Sequence, residues 1–334
     1  MKWKNVTVSF TLFFLFQVNN LYSQGGEKYR SVLSIDHEND FINYRGSGTD
    51  RYFTCGIQIR YSYHTNKLND FFHHLLITAG DKDLSFSYWE LSQLMFTPID
   101  ISKPIPQPGD RPYAGALYLG KGLTTFNKAS GLIIQSEMNL GMIGPYSYTK
   151  EVQTFVHKQI NDEKPMGWNT QIKNDLIINY NITIKKILVL MNQLQANVKI
   201  ISRVGTLYND LGAGFEINAG KINSILPVHS YDFLASQQAS GNKHQLYFFA
   251  NGQVKFVLGN SLLQGGVVHA FKNDCADFFH ISEDNLTRCV TNAEMGVAYS
   301  GRRWKFTFSQ NYCSSEFKNA CSQLFGKIRI SYAL

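Results

Sequence analysis

Gly56-Ile57-Gln58-Ile59-Arg60-Tyr61-Ser62-Tyr63 alternates strictly: Ile57, Ile59, Tyr61 and Tyr63 fall on one face, Gln58, Arg60 and Ser62 on the other. A period of two is the signature of a β-strand whose faces meet different surroundings. The pattern recurs along the chain. Leu132, Ile134, Met138, Leu140 and Met142 share a face opposite Gln135, Glu137 and Asn139. Phe248, Ala250, Val254, Phe256 and Leu258 alternate with Asn251, Gln253 and Lys255. At the C-terminus Ile328, Ile330, Tyr332 and Leu334 alternate with Lys327, Arg329 and Ser331. A soluble sandwich also alternates, so a second feature decides. Segments of about ten residues, apolar outside and polar inside, are the units of a transmembrane barrel, which must close because lipid cannot satisfy an open edge.

Twelve such segments are predicted, near 30–38, 52–63, 84–95, 113–122, 131–142, 171–190, 195–207, 211–222, 245–260, 290–300, 303–311 and 326–334. The expected fold is therefore all-β: an antiparallel transmembrane barrel with both termini on the periplasmic side and short helical segments in extracellular loops. Residues 99–112, 144–168, 223–243 and 271–288 read as longer loops, where function tends to sit. No later segment has the long uncharged apolar run of a transmembrane helix.

Composition agrees. The chain is 14% aromatic and only 17% charged, rich in strand formers and poor in the charged surface of a soluble domain. Its net charge of +7 is dispersed, with none of the basic clustering that grips nucleic acid; the excess is available for anionic lipid head groups, and a bland basic surface is the alternative. Lys2 and Lys4 precede a largely apolar stretch from Val6 to Val18, then Tyr22-Ser23-Gln24-Gly25. This is the anatomy of a secretory signal, expected over 1–23 with the barrel domain over 24–334. The five cysteines, at 55, 275, 289, 313 and 321, have no metal-ligand spacing. Cys275/Cys289 and Cys313/Cys321 are candidate loop disulfides for an oxidising compartment, which leaves Cys55 over.

Four places concentrate polar residues: His37-Glu38-Asn39-Asp40, Asp50 to Thr54, Gly109 to Gly115, and Gly144-Pro145 through Glu151-Val152-Gln153 and His157 to Glu163 and Gly167-Trp168. There is neither a G-x-S-x-G nucleophile elbow nor an H-E-x-x-H zinc pair. The residues suit water-mediated ester cleavage. A neutral His accepts a proton from water near pH 7, a carboxylate with neighbouring oxygens holds Ca²⁺, and an Asn amide donates to the oxyanion. Each piece alone is weak. A single histidine is more often a surface residue, Asn39-Asp40 more often starts a turn, and Asp110-Arg111 more often forms a structural ion pair.

Their joint order resembles the outer-membrane lipid A 3-O-deacylases, the LpxR-like family. The resemblance rests on Asn39-Asp40 after the first strand, Tyr52-Phe53-Thr54-Cys55-Gly56, and Asp110-Arg111-Pro112-Tyr113-Ala114-Gly115. It continues through Ile143-Gly144-Pro145, Glu151-Val152-Gln153, His157, Gly167-Trp168 and Ser315-Glu316-Phe317. It implies a twelve-stranded barrel in the Gram-negative outer membrane, with its site between the wall and a helix from an extracellular loop. It also implies Ca²⁺-dependent hydrolysis of the 3-position ester of lipid A, releasing an acyloxyacyl group. His157 matches the water-activating base, with Gln153 one helical turn before it. Asn39 matches the oxyanion site, Asp40 the Ca²⁺ ligand, Thr54 a required Ser/Thr position, Glu163 a supporting acid and Lys103 a basic residue that contacts substrate. The expected partners are lipopolysaccharide and outer-membrane lipid, with no nucleic acid, and the chain is expected to act as a monomer. The competing readings are a non-catalytic pore or adhesion barrel, and a phospholipase-type barrel hydrolase with a Ser nucleophile.

Overall fold

The computed structural model describes residues 30–44, 51–65, 71–80, 84–191, 193–222, 244–267, 279–301 and 303–334. The expected signal segment, the loop 223–243 and Cys275 lie outside them. Twelve strands form: β1 (Ser31–Asn39), β2 (Tyr52–His64), β3 (Leu84–Thr97), β4 (Ala114–Asn127), β5 (Leu132–Ile143) and β6 (Asp175–Met191), then β7 (Leu194–Gly205), β8 (Tyr208–Lys221), β9 (Gln245–Asn260), β10 (Cys289–Ser300), β11 (Trp304–Cys313) and β12 (Gln323–Ala333). Each pairs antiparallel with its sequence neighbours, and β1 pairs with β12 to close the barrel. All twelve predicted strands are present. β4 runs on to Asn127, past the expected end at 122, because Leu123 and Phe126 are buried there. Among the described residues three short α-helices lie between strands: α1 (Phe71–Leu75), α2 (Thr149–Ile160) and α3 (Ser261–Gln264). No helix among the described residues is long and apolar enough to cross a membrane.

Alternation sorts the side chains as the sequence pattern requires. Ile59, Tyr61, Leu140, Phe248, Phe256 and Ile328 are exposed on the outside, where a bilayer would cover them. Inside, the polar partners pair across strands. Arg60 Nε donates to Glu90 at 2.6 Å, Lys185 to Glu216 at 2.7 Å and Arg329 Nε to Asp36 at 2.7 Å. A cavity of about 330 Å³ lies between these pairs, lined among others by Lys199, Asn251, Lys255 and Glu294. Apolar clusters pack into the lumen near both ends, Val32, Phe86, Phe126 and Ala333 at the end that carries the termini, and Phe53, Phe96, Ala116 and Tyr118 at the other.

The loop end is tied across its mouth by one buried cation. Arg111 is fully buried, its guanidinium lies 4.0 Å from the centre of the Phe96 ring, and Nη1 donates to Glu316 at 2.6 Å. Asp110 is not its ion partner, as the adjacent sequence suggested. Asp110 instead accepts from the backbone N–H groups of Ile99 and Arg111, which shapes its own loop. Glu316 also accepts from Gln323, whose Oε1 accepts from the Phe53 backbone, so loops after β3 and β11 and the start of β2 share one network. The expected Cys313–Cys321 disulfide is absent: both thiols are free. Cys313 is buried in a cluster with Val257, Leu263 and Phe317, whereas Cys321 is exposed in the following loop.

Burial alone would raise the Glu316 carboxyl, but the Arg111 guanidinium outweighs this and holds it below the usual carboxylate value. A depressed acid stabilises the fold above its unfolded value and loses that contribution as pH falls through the folded one. Glu316→Gln leaves Arg111 buried without its counter-ion and is expected to cost about 3 kcal/mol. Urea unfolding of the refolded barrel, followed by its heat-modifiable gel mobility, measures this, and the variant's stability should fall less than the wild type's between pH 6 and pH 4.

Candidate active site on the outer wall

The predicted site residues divide between a helix and the tops of two strands. After β5 the chain turns at Pro145–Ser147 and enters α2. Thr149, Gln153 and His157, four residues apart, form its buried stripe. That stripe faces the outside of the barrel. Ala114 and Ala116 point into the lumen cluster, so Gly115 between them points outward. A Cβ on Gly115 would collide with the Thr149 and Ser147 hydroxyls, so only glycine lets the start of α2 sit against the wall. Gln93, on the same outer face of β3, donates to the Ser147 carbonyl at 2.7 Å. Val152 of α2 and Cys55 of β2 pack against the same cluster, Met95, Ile101, Tyr113 and Trp168. From Thr149 to His157 the helix advances about 12 Å, a little over two inter-strand spacings of about 4.8 Å. The helix thus lies over β4 and β3.

The helix ends just beyond His157. Asn161 takes the left-handed conformation that closes helices, and its N–H caps the His157 carbonyl. The chain then doubles back so that the backbone carbonyl of Glu163 accepts from His157 Nδ1–H at 2.6 Å. A carbonyl can only accept, so the proton of the neutral ring sits on Nδ1 and the lone pair on Nε2. Glu163 therefore orients the imidazole through its main chain. Its own side chain is exposed, which differs from the acid role expected of it.

Trp168 supplies a second piece of orientation that sequence reading did not assign, although Gly167-Trp168 stood out. Its buried indole Nε1–H donates to Gln153 Oε1 at 2.7 Å. This fixes the amide with Nε2 turned away from the tryptophan, and that buried Nε2 has no hydrogen-bond partner among the described residues.

The strand side is built at the tops of β1 and β2. Asn39, opposite Cys55 in the ladder, lies on the outward-facing row with His37 and Ile35, because Asp36 and Glu38 point inward to Arg329 and Lys327. Asn39 Oδ1 accepts from the Phe41 N–H at 2.7 Å, so its Nδ2 is left as the donor end. Asp40 is buried and accepts from the Arg51 backbone at 3.3 Å. A β-bulge between Phe53 and Cys55 inserts Thr54 into β2, and its hydroxyl meets that of outward-facing Thr97 at 2.7 Å. The segment Asp40–Tyr44 folds outward over β12 and β11. Gln310 bonds the Ile42 carbonyl and the Tyr44 N–H, and a Cβ on Gly326 would strike the Ile42 carbonyl. Lys103 is half-exposed and paired with Asp100 at 3.0 Å, its backbone carbonyl close to Gly167.

One carboxylate with amide and hydroxyl neighbours is a donor set compatible with a hard cation such as Ca²⁺ and unsuited to zinc. Among the described residues no group of three or more His, Cys, Asp or Glu side chains could hold a metal.

The model of the LpxR outer membrane protein family matches residues 8–334. The chain belongs to that family. LpxR from Salmonella typhimurium superimposes with a TM-score of 0.71 at 19% identity, over 91% of this chain and all of that one, so the barrel fold is shared. More distant likenesses include the β domain of a Bordetella autotransporter (TM-score 0.44, 8% identity, 92% of this chain and 100% of that one) and an outer membrane channel from Pseudomonas putida F1 (TM-score 0.44, 9% identity, 94% and 100%). No curated protein sequence matches. Family and fold place this LpxR-family chain in the Gram-negative outer membrane.

Trp168→Phe removes the donor to Gln153 and strands a buried carbonyl oxygen, at a cost of about 1–3 kcal/mol. The loss should appear as faster proteolysis within residues 144–174 while the barrel's heat-modifiable mobility stays unchanged.

Proposed function

We propose that this LpxR-family barrel is a lipid A 3-O-deacylase, a carboxylic ester hydrolase in which His157 activates water. The observation that carries the reading is the oriented imidazole, with Nδ1–H held by the Glu163 carbonyl, on a helix packed against the outside of the barrel. A substrate anchored in the outer leaflet reaches such a site sideways through the lipid, without entering the lumen.

In this mechanism Nε2 of His157 takes a proton from water as the oxygen attacks the ester carbonyl, and later returns it to the leaving sugar oxygen. Negative charge develops on the carbonyl oxygen. Asn39 Nδ2 and Gln153 Nε2 are its donors, the second being a buried amide nitrogen whose cost is relieved when an acceptor arrives. Thr54, held by Thr97, would support the site from β2. Asp40 would hold Ca²⁺, which when bound supplies positive charge to polarise the ester carbonyl. Lys103 lies on the outward-facing loop and would contact an anionic group of the sugar, exchanging Asp100 for it.

His157→Ala should lower kcat by about 10²–10⁴-fold. Mass spectrometry of lipid A from cells that express the full chain should show loss of one 3-linked acyl group with wild type and none with the variant. Chelation should abolish wild-type turnover and added calcium restore it. Unchanged lipid A in wild-type cells supplied with calcium overturns the reading.

A further inference from the structure

His37 is an exposed imidazole on the wall that faces lipid. It lies on the outer row of β1 between Ile35 and Asn39, and its ladder neighbours are Ile57 on β2 and Ile328 on β12. Ile35 and Ile328 are each 39% exposed, so the surroundings are an open apolar surface. Other polar side chains on this wall are engaged: Gln93 by Ser147, Gln310 by the Ile42 carbonyl, Thr54 by Thr97. The His37 ring has no hydrogen-bond partner among the described residues. An ionisable side chain facing hydrocarbon without a partner is costly and marks function.

Its position gives the partner. Among the described residues, α2 lies over β3 and β4 and Asp40–Tyr44 over β11 and β12, and between them Leu33, Ile35 and His37 of β1 and Ile59 and Tyr61 of β2 are exposed. Down that strip the outward residues of β1 run Asn39, His37, Ile35, Leu33: amide, imidazole, then aliphatic. An amphiphile whose ester sits at Asn39 lays its acyl chain along this row. His37 lies two residues below, about 6.8 Å along the strand. That is a few carbons down the chain, within imidazole reach of an oxygen on the third carbon.

We infer that His37 is a specificity-determining residue. It hydrogen-bonds an oxygen substituent, a hydroxyl or second ester, on the acyl chain being released, and so selects such chains over unsubstituted ones. This rests on the deacylase reading above.

The test uses the full refolded barrel with calcium and two synthetic 3-O-acylated glucosamine lipids, one with a hydroxyl on the third carbon of the acyl chain and one without. Wild type should favour the hydroxylated lipid in kcat/KM by about tenfold, the worth of one well-placed hydrogen bond. His37→Leu should erase that preference by raising KM for the hydroxylated lipid, with kcat within about twofold. His37→Gln, which keeps a donor and an acceptor, should restore part of it. Matching heat-modifiable mobility establishes that each variant is folded. A wild type without preference, or a His37→Leu enzyme that keeps it, overturns the inference and leaves the deacylase standing. Hydrolysis of neither lipid by wild type overturns both.

Discussion

Every backbone N–H and C=O inside a bilayer must find its partner within the protein, and this requirement governs the whole chain. It forces β1 against β12, so the sheet has no edge. It brings the start of β1 and the end of β12 to one end of the barrel. It also confines anything irregular, whether loop, short helix or cap, to the rims or to places where protein covers it. The Thr54 bulge shows how narrow the allowance is. It sits at the top of β2, within three residues of the strand's end, where α2 and the β3–β4 loop cover it. The extra residue there turns a hydroxyl towards the outer face, which a regular ladder would have directed inward.

Closure then divides the polar residues into two populations with different jobs. The lumen population is paired: Arg60 with Glu90, Lys185 with Glu216, Arg203 with Asp210, Asp36 with Arg329. Apolar clusters pack near both ends, and the ion-paired middle encloses a cavity of about 330 Å³. The outer-wall population includes Asn39, His37, Thr54 and Gln93 on β1 to β3, with Gln93 bonded to the turn before the helix that carries Gln153 and His157. Polar side chains on a lipid-facing wall need a reason, and a polar head group held at the membrane surface supplies one.

The strands were legible because alternation is a local property: Ile57 to Tyr63 shows its two faces without any other part of the chain. The candidate site could be read only as an ordered set of motifs, since Asn39 and Thr54 on the strands and His157 on α2 lie far apart in sequence. What escaped is instructive in the same terms. Nothing local says that Gly115 is outward-facing and is the seat of α2. The Glu163 residue was expected to act through its carboxylate, yet the short turn after Asn161 delivers its carbonyl instead. Arg111 was read with its neighbour Asp110, but adjacent residues on extended chain point apart, and the buried guanidinium reaches Glu316 across the mouth. The cysteine spacing likewise carried no information about burial, which places Cys313 in an apolar cluster and Cys321 outside it.

A site on the outside of a barrel meets an electrostatic difficulty that the local architecture answers. In the proposed deacylase, hydrolysis develops negative charge, and hydrocarbon solvates charge poorly, while bulk water would compete for every donor. The rim between these two media is where donors fixed by the protein have most effect. Here their orientation is set in advance: Trp168 holds the Gln153 amide, the Phe41 N–H holds Asn39, and the Glu163 carbonyl holds the His157 tautomer. Each of these is a single hydrogen bond worth about 1 kcal/mol to stability. Each also removes one of two orientations of a planar group, so the geometry does not have to be found anew when an ester arrives. Packing α2 onto glycine at position 115 completes the arrangement, because a helix lifted by one methyl group would carry both Gln153 and His157 off the wall together.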